Sequence, residues 1–277
     1  MNDRIAITIE DHIAEVMLNR PEKLNALDLD TFQALDEAAR SLADETSVRA
    51  VVLHGAGENF CAGLDLGVMQ GEADIGAAML RPVAGSPANL FQRAAYAWRE
   101  LPVPVICALQ GVTFGGGFQI AMGADLRYAA PGTKFSVMES KWGLIPDMAI
   151  SATLRNILPP DRLKELAWTA RVFDADEALR LGVVTAVAEE PLAAAREMAA
   201  DLGTRSPEAI QGIKRLVNSA WQCSEEEALA LEAQLQLGLL GTANQVEAVR
   251  ANLEKRAPRF ADRSAGSRAD LAGTVAA

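Results

Sequence analysis

The sequence predicts an α/β protein of recurring strand–strand–helix units, followed by a wholly helical C-terminal segment. Two observations carry that expectation. Short runs rich in β-branched or alternating apolar residues are interleaved with stretches whose apolar residues repeat at helical spacing. After about residue 195, the helical spacing alone remains.

At the start of the chain, Ile5, Ile7 and Ile9 alternate with other residues, and a second apolar run follows Asp11-His12 to Leu18; this reads as a β-hairpin. Phe32, Leu35, Ala39 and Leu42 give a helix, and a β-branched strand follows over 48–53. A glycine-bearing loop covers 55–67. Residues 68–89 show no clear period and are expected to form a mobile loop lining a pocket. Leu90, Ala94, Ala95, Trp98 and Leu101 mark a helix that leads into a strand over 103–109. Gly115-Gly116-Gly117 makes a turn before a short apolar helix, and short strands are expected over 126–130 and 134–138. Ile150, Leu154 and Ile157 mark a helix that Asp147 could cap. Later caps are expected at Ser206-Pro207, at Ser224 with Glu227 in a capping box, and at Thr242.

With 277 residues, 50% of them hydrophobic, the chain can bury a large core. Its 26 basic and 37 acidic side chains leave a net charge of −11, which disfavours nucleic acid and anionic membranes as partners. The N-terminal residues lack a signal-peptide core, so a cytoplasmic location is expected. Residues 101–124 carry no charge, but Pro102, Pro104 and internal glycines point to a core strand and a buried helix rather than a membrane span. Cys61, Cys107 and Cys223 are too few and too scattered for a disulfide framework or a paired-cysteine metal site.

Several kinds of chemistry find no support. The sequence has no GxSxG elbow, HExxH helix or phosphate-binding P-loop, and Phe60 replaces the third glycine of a dinucleotide fingerprint begun by Gly55 and Gly57. His12 falls in the expected hairpin turn and His54 at a strand end, both in structural positions. No metal or redox cofactor is expected.

Two glycine-bearing segments remain: Asn59-Phe60-Cys61-Ala62-Gly63-Leu64-Asp65-Leu66 and Gly111-Val112-Thr113-Phe114-Gly115-Gly116-Gly117-Phe118-Gln119. Alone, each reads as a strand-to-helix turn. The chain also carries Asn19-Arg20-Pro21-Glu22-Lys23-Leu24-Asn25-Ala26-Leu27, Ala124-Asp125-Leu126-Arg127, Trp142-Gly143-Leu144-Ile145-Pro146 and Leu253-Glu254-Lys255-Arg256. Taken in order over residues 4–260, these segments resemble the crotonase (enoyl-CoA hydratase/isomerase) superfamily.

The resemblance implies an acyl-CoA enzyme, with coenzyme A carried as part of the substrate. Backbone amides near Ala62 and Gly116 would hold the thioester oxygen, where charge gathers once an α-proton has left. Gly63, Leu64 and Asp65 would line the acyl-thioester path, and Arg20 and Lys23 would offset coenzyme phosphate charge. Glu139 matches the position of a general acid/base carboxylate. Hydratases of the family usually carry a second Glu where this chain has Gln119; an amide cannot accept and release a proton, although it can orient a water. Asp147, eight residues after Glu139, instead resembles the partner carboxylate of dienoyl-CoA isomerases. Isomerisation of a dienoyl- or enoyl-CoA is therefore the preferred reaction. Hydration through Glu139 and a water held by Gln119 is the alternative, and a non-catalytic binding protein on the same fold is a further one.

The implied fold is a crotonase-type ββα spiral over residues 1–195. A helical oligomerisation region over 196–260 and a flexible tail over 261–277 follow it. A homotrimer or hexamer is the expected assembly.

Overall fold

A computed structural model describes residues 3–69 and 81–264. The chain opens with the hairpin β1 (Ile5–Glu10) and β2 (Ile13–Leu18), then α1 (Leu29–Asp44), β3 (Ala50–Gly55) and the short α2 (Leu66–Met69). Next come α3 (Leu90–Glu100), β4 (Val105–Leu109), β5 (Val112–Phe114), α4 (Gly116–Gly123), β6 (Leu126–Ala129) and β7 (Lys134–Ser136). After a 3-10 turn at Glu139–Trp142 the chain forms α5 (Ile150–Thr153), α6 (Pro160–Thr169), β8 (Phe173–Asp174), α7 (Ala175–Arg180) and β9 (Ala186–Val187). It ends in α8 (Pro191–Gly203), α9 (Pro207–Ala220), α10 (Glu225–Leu239) and α11 (Ala243–Glu254).

The larger sheet has the order β1-β2-β3-β4-β6-β9; β1 pairs antiparallel with β2, and every later neighbour is parallel. Asp11 and His12 form the hairpin turn with φ of 47° and 68°. A two-residue turn with both φ positive matches the right-handed twist of the flanking strands. Strands β3 and β4 are covered on both faces, as parallel strands usually are. Val51, Leu53, Val105, Cys107 and Leu109 pack into the main core with α1 and α3. The alternate residues, Ala50, Val52, Ile106 and Ala108, meet Ala195 and Ala199 of α8 on the other face.

The uncharged stretch after residue 101 is β4, β5 and α4, and every residue of α4 is buried. No helix among the described residues is long and apolar enough to cross a membrane. A smaller sheet, β5-β7-β8, sits beside the larger one. It brings the end of β5, where α4 begins, alongside the end of β7, where Glu139 follows (Phe114↔Ser136). That juxtaposition makes the site.

Several expectations need correction. The boundary expected at 195 falls inside α8, whose Ala195 and Ala199 pack on the sheet. The helix expected through Ile157 is a single turn, Ile150–Thr153, whose N-cap is Ala149 at φ 66° with no side-chain cap; Asp147 does not cap it. Ser206 stands at the N-cap before Pro207 as expected, but its hydroxyl makes no capping bond and donates to Glu208 at 3.3 Å. The tail expected from 261 does not start there: Arg263 is buried and donates to the carbonyls of Leu42, Ala43 and Glu45. Residues 265–277 lie outside the described residues. Of the loop expected over 68–89, residues 70–80 likewise lie outside them; α2 covers its start, and Pro82 pairs with Asn89 at its end.

The capping box at Ser224–Glu227 and the cap by Thr242 form as expected. The α9 helix is tethered to the core by Lys214, whose Nζ donates to the carbonyls of Trp98 and Val103, each at 2.9 Å, and to Asp125 at 2.7 Å.

Candidate active site

A cavity of about 510 Å3 opens where the 61–65 segment, the start of α4 and the loop after β7 meet. Phe32, Phe91, Met138 and Met148 give it apolar walls, and Glu139 and Asp147 supply its carboxyl groups on the loop after β7. The Phe32 and Phe91 rings stack with centroids 4.1 Å apart, joining α1 to α3 beneath the cavity.

The 61–65 segment is pinned almost amide by amide. Cys61 N–H donates to Val112 O, and Ala62 N–H donates to Leu24 O at 2.9 Å. Gly63 N–H faces the Cys61 sulfur at 3.4 Å. Leu27 N–H donates to Gly63 O and Asp65 N–H donates to Leu27 O, so Leu64 is bridged on either side. Of these amides, Leu64's alone meets no acceptor among the described residues. The expected use of the Ala62 amide is thereby corrected, because a donor already engaged by a carbonyl is not free for a substrate oxygen.

Gly116 stands differently. Its N–H belongs to the first turn of α4, where no intrahelical acceptor exists and the helix dipole presents its positive end. The two segments touch. A side chain at Gly63, whose φ is +92°, would put its Cβ 2.9 Å from Phe114 O and 3.4 Å from Gly116 N. The amides of Leu64 and Gly116 thus lie on neighbouring stretches of backbone lining one cavity.

Arg20 is corrected as well. Its Nη1 lies 2.7 Å from Asp65 Oδ2 and 3.4 Å from Asp28 Oδ2, and it donates to Ala26 O at 3.1 Å. An arginine so enclosed holds the loop and is not presented to a phosphate; Lys23 does line the cavity. Asp65 also accepts from Gly67 N–H. That bond and the Arg20 bond hold its carboxyl below the usual range. Asn25 reinforces the same corner: its side chain donates to the carbonyls of Ala56 and Asn59 and accepts from Arg20 N–H.

Glu139 is buried at the start of its 3-10 turn. Its Oε1 accepts a 2.6 Å hydrogen bond from Gln119 Nε2, while Oε2 is buried without a partner among the described residues. Gln119 Oε1 in turn accepts from Met148 N–H at 2.8 Å. Burial pushes the Glu139 carboxyl above its ordinary value; the Asp147 charge adds to the rise and the Gln119 bond opposes it. Burial raises Asp147 too. Cys61 lies beneath the site, and burial lifts its thiol to about 12, which excludes it as a thiolate nucleophile. His12 contacts Ser47 O, and His54 faces Glu15 at 3.7 Å, both away from the cavity. Among the described residues no cluster of His, Cys, Asp and Glu could hold a metal ion.

Two backbone donors beside one buried and one half-buried carboxyl in an apolar cavity are an arrangement suited to proton transfer next to a carbonyl whose oxygen takes up negative charge. Residues 8–263 match the sequence family described as enoyl-CoA hydratase/isomerase, and the chain belongs to that family, within the crotonase superfamily of enzymes. It is 32% identical over 258 residues to a short-chain-enoyl-CoA hydratase of Clostridium acetobutylicum, covering 92% of this chain and 96% of the relative. It is 31% identical to the mitochondrial Delta(3,5)-Delta(2,4)-dienoyl-CoA isomerase of Mus musculus, covering 89% and 78%. Among solved structures it resembles an enoyl-CoA hydratase from Bacillus anthracis with a TM-score of 0.83 at 28% identity, covering 93% of this chain and 98% of that one.

The sequence reading missed that Leu64, rather than Ala62, offers the free amide. It also assigned no role to Phe32, Phe91, Met138 or Met148 in the cavity wall. The Asn25 position was visible in the motif, but its role depends on contacts with Ala56 and Asn59 more than 30 residues away, which no local pattern encodes.

Proposed function

We propose that this enzyme moves a double bond within a dienoyl- or enoyl-CoA. The amides of Leu64 and Gly116 hold the thioester oxygen, and Glu139 and Asp147 exchange protons with separate carbons of the acyl chain. Loss of the α-proton sends its electron pair toward the thioester oxygen as an enolate. Reprotonation at a distant carbon completes the shift. Coenzyme A is part of the substrate and no further cofactor takes part. A cytoplasmic homotrimer or hexamer, joined through the helices after residue 203, is part of the same reading. Support comes from exposed Leu229, Leu237 and Leu253 on α10 and α11.

The observation that carries the isomerase preference is the state of Gln119. Both ends of its carboxamide are engaged, by Glu139 and by Met148, so nothing at this position can accept a proton from a water. Of the other two carboxyls lining the cavity, Asp65 is engaged by Arg20 and by Gly67 N–H, whereas Asp147 is free of any capping duty. Hydration is the second reading, favoured by the hydratase named among the relatives. Parallel assays of a 2-enoyl-CoA and a 3,5-dienoyl-CoA in 18O-labelled water separate the two. A shifted double bond without oxygen uptake supports isomerisation, and its abolition by Asp147→Asn supports the carboxylate pair. Label in the product with the 2-enoyl-CoA, and no reaction of the diene, overturns it.

A further inference from the structure

Gln119 does more than fail to be a second acid. Its Oε1 faces the N–H of Met148, a group that can only donate, at 2.8 Å. The opposite end facing Glu139 is therefore the amide nitrogen, which also can only donate. It follows that Glu139 Oε1, 2.6 Å away, is an acceptor and carries no proton toward Gln119. The remaining oxygen, Oε2, is buried and without a partner among the described residues, on a side chain that lines the cavity. Flipping the carboxamide would set NH2 against N–H at one end and a carbonyl oxygen against a carboxylate at the other, so the orientation is enforced from both sides.

Granting the reading above, and taking Glu139 as the carboxyl that receives the α-proton, we propose that Gln119 is the positioning residue that confines this transfer to Glu139 Oε2 and ties its orientation to the backbone of the Asp147–Met148 segment. In the step itself, Oε2 of the carboxylate forms a bond to the proton of the carbon beside the thioester carbonyl. The C–H electron pair becomes the enolate, and its charge comes to rest on the thioester oxygen. Return of the proton from Oε2 to carbon reverses the step without any co-reactant. The charged group that bears on Glu139 is Asp147, from the loop after the 3-10 turn; Gln119 of α4 and the adjoining backbone are neutral. Gln119 thus supplies the side-chain hydrogen bond that favours the ionised form of Glu139 against burial and the Asp147 charge.

The test is α-proton exchange of a saturated acyl-CoA, such as butyryl-CoA, in D2O, followed by mass spectrometry across pH. This reads enolate formation whatever the natural reaction. In Gln119→Leu the limb of the rate profile assigned to ionisation of Glu139 moves to higher pH. The maximal exchange rate falls about 100-fold, as for a catalytic group displaced by roughly an ångström, while KM stays within about 3-fold, since uniform substrate binding is untouched. In Gln119→Glu the limb moves further, because facing carboxyls resist double ionisation. Should Gln119→Leu not fold, Gln119→Asn, too short to reach both partners, gives the same shift.

A limb and a maximal rate unchanged in Gln119→Leu, with exchange abolished in Glu139→Gln, overturn the positioning role alone. Absence of exchange in the wild type, or full exchange in Glu139→Gln, overturns the proton-transfer reading and this proposal with it.

Discussion

Arg20 Nη1 lies 2.7 Å from Asp65 Oδ2, and through this bond the loop carrying Leu64 is fastened to the turn at Pro21–Lys23. The guanidinium also lies 3.4 Å from Asp28 and donates to Ala26 O, so its removal leaves two carboxylates and a carbonyl facing an emptied, mostly shielded space. Arg20→Leu is expected to cost about 3 kcal/mol of stability, as for breaking a largely buried pair from one side. Asp65→Asn in the same background should restore part of the loss. Denaturant unfolding of the single and double variants checks this. A variant of unchanged stability whose only defect is weak coenzyme A binding would return Arg20 to the phosphate role.

Gly63 and Gly116 should fail differently when replaced by alanine. At Gly116 the new Cβ would stand 2.8 Å from Leu27 Cδ1 and 2.9 Å from Met148 Sδ, the far ends of flexible side chains that can yield. At Gly63 it meets Phe114 O at 2.9 Å, a backbone atom, and does so at φ +92°, which alanine tolerates poorly. Gly116→Ala is expected to fold with a loss of about 1–2 kcal/mol and to lose activity through its intruding methyl. Gly63→Ala should lose more stability and, by shifting the segment that presents the Leu64 amide, about 100-fold or more in kcat. Unfolding midpoints paired with kcat for both variants decide the matter; equal stability losses would contradict the contrast.

Two serines that look alike in sequence should behave unlike each other. Ser224 accepts from Glu227 N–H and its own N–H donates to the Glu227 carboxylate, a complete capping box. Ser206, before Pro207, directs its hydroxyl at Glu208 instead. Ser224→Ala is therefore expected to cost about 1 kcal/mol and Ser206→Ala a few tenths at most. Thermal unfolding of the two variants measures the difference.

The cause of that contrast also explains which parts of the molecule could be read from its sequence. Hairpin, buried strands and helix faces were legible because each follows from a period: Ile5 to Leu18 alternates, and Phe32, Leu35, Ala39 and Leu42 share one helix face. Features set by contacts between distant segments were not. The Ala62 amide looks free until Leu24, far away in sequence, is found accepting from it at 2.9 Å. Asp147 has the composition of a cap, yet the chain turns through Ala149 before the helix begins. Arg20 reads as a cation for coenzyme phosphates until folding brings Asp65 to it. The family motif located the site, whereas which amide, which oxygen and which cation are free depends on partners that only the fold supplies.

Glu139 is expected to cost stability while conferring activity. Burial raises its folded carboxyl pKa above the unfolded value, so between those values the folded chain binds more protons than the unfolded one. Stability from this group therefore falls as pH rises through that window, and above the folded pKa the full penalty is present. Glu139→Gln removes the charge, keeps an acceptor for Gln119 Nε2 and places a neutral NH2 where Oε2 now lacks a partner. Above the folded pKa of Glu139 the variant should be more stable than wild type by about 1–3 kcal/mol, because a buried carboxylate short of partners costs more than a neutral amide in the same place. The gain should shrink toward acid pH, where wild-type Glu139 is itself protonated. Its kcat should fall by about 10²–10⁴. Urea unfolding at several pH values, run beside activity assays, checks both halves; a stability difference that grows on acidification would reverse the sign and refute the argument from burial.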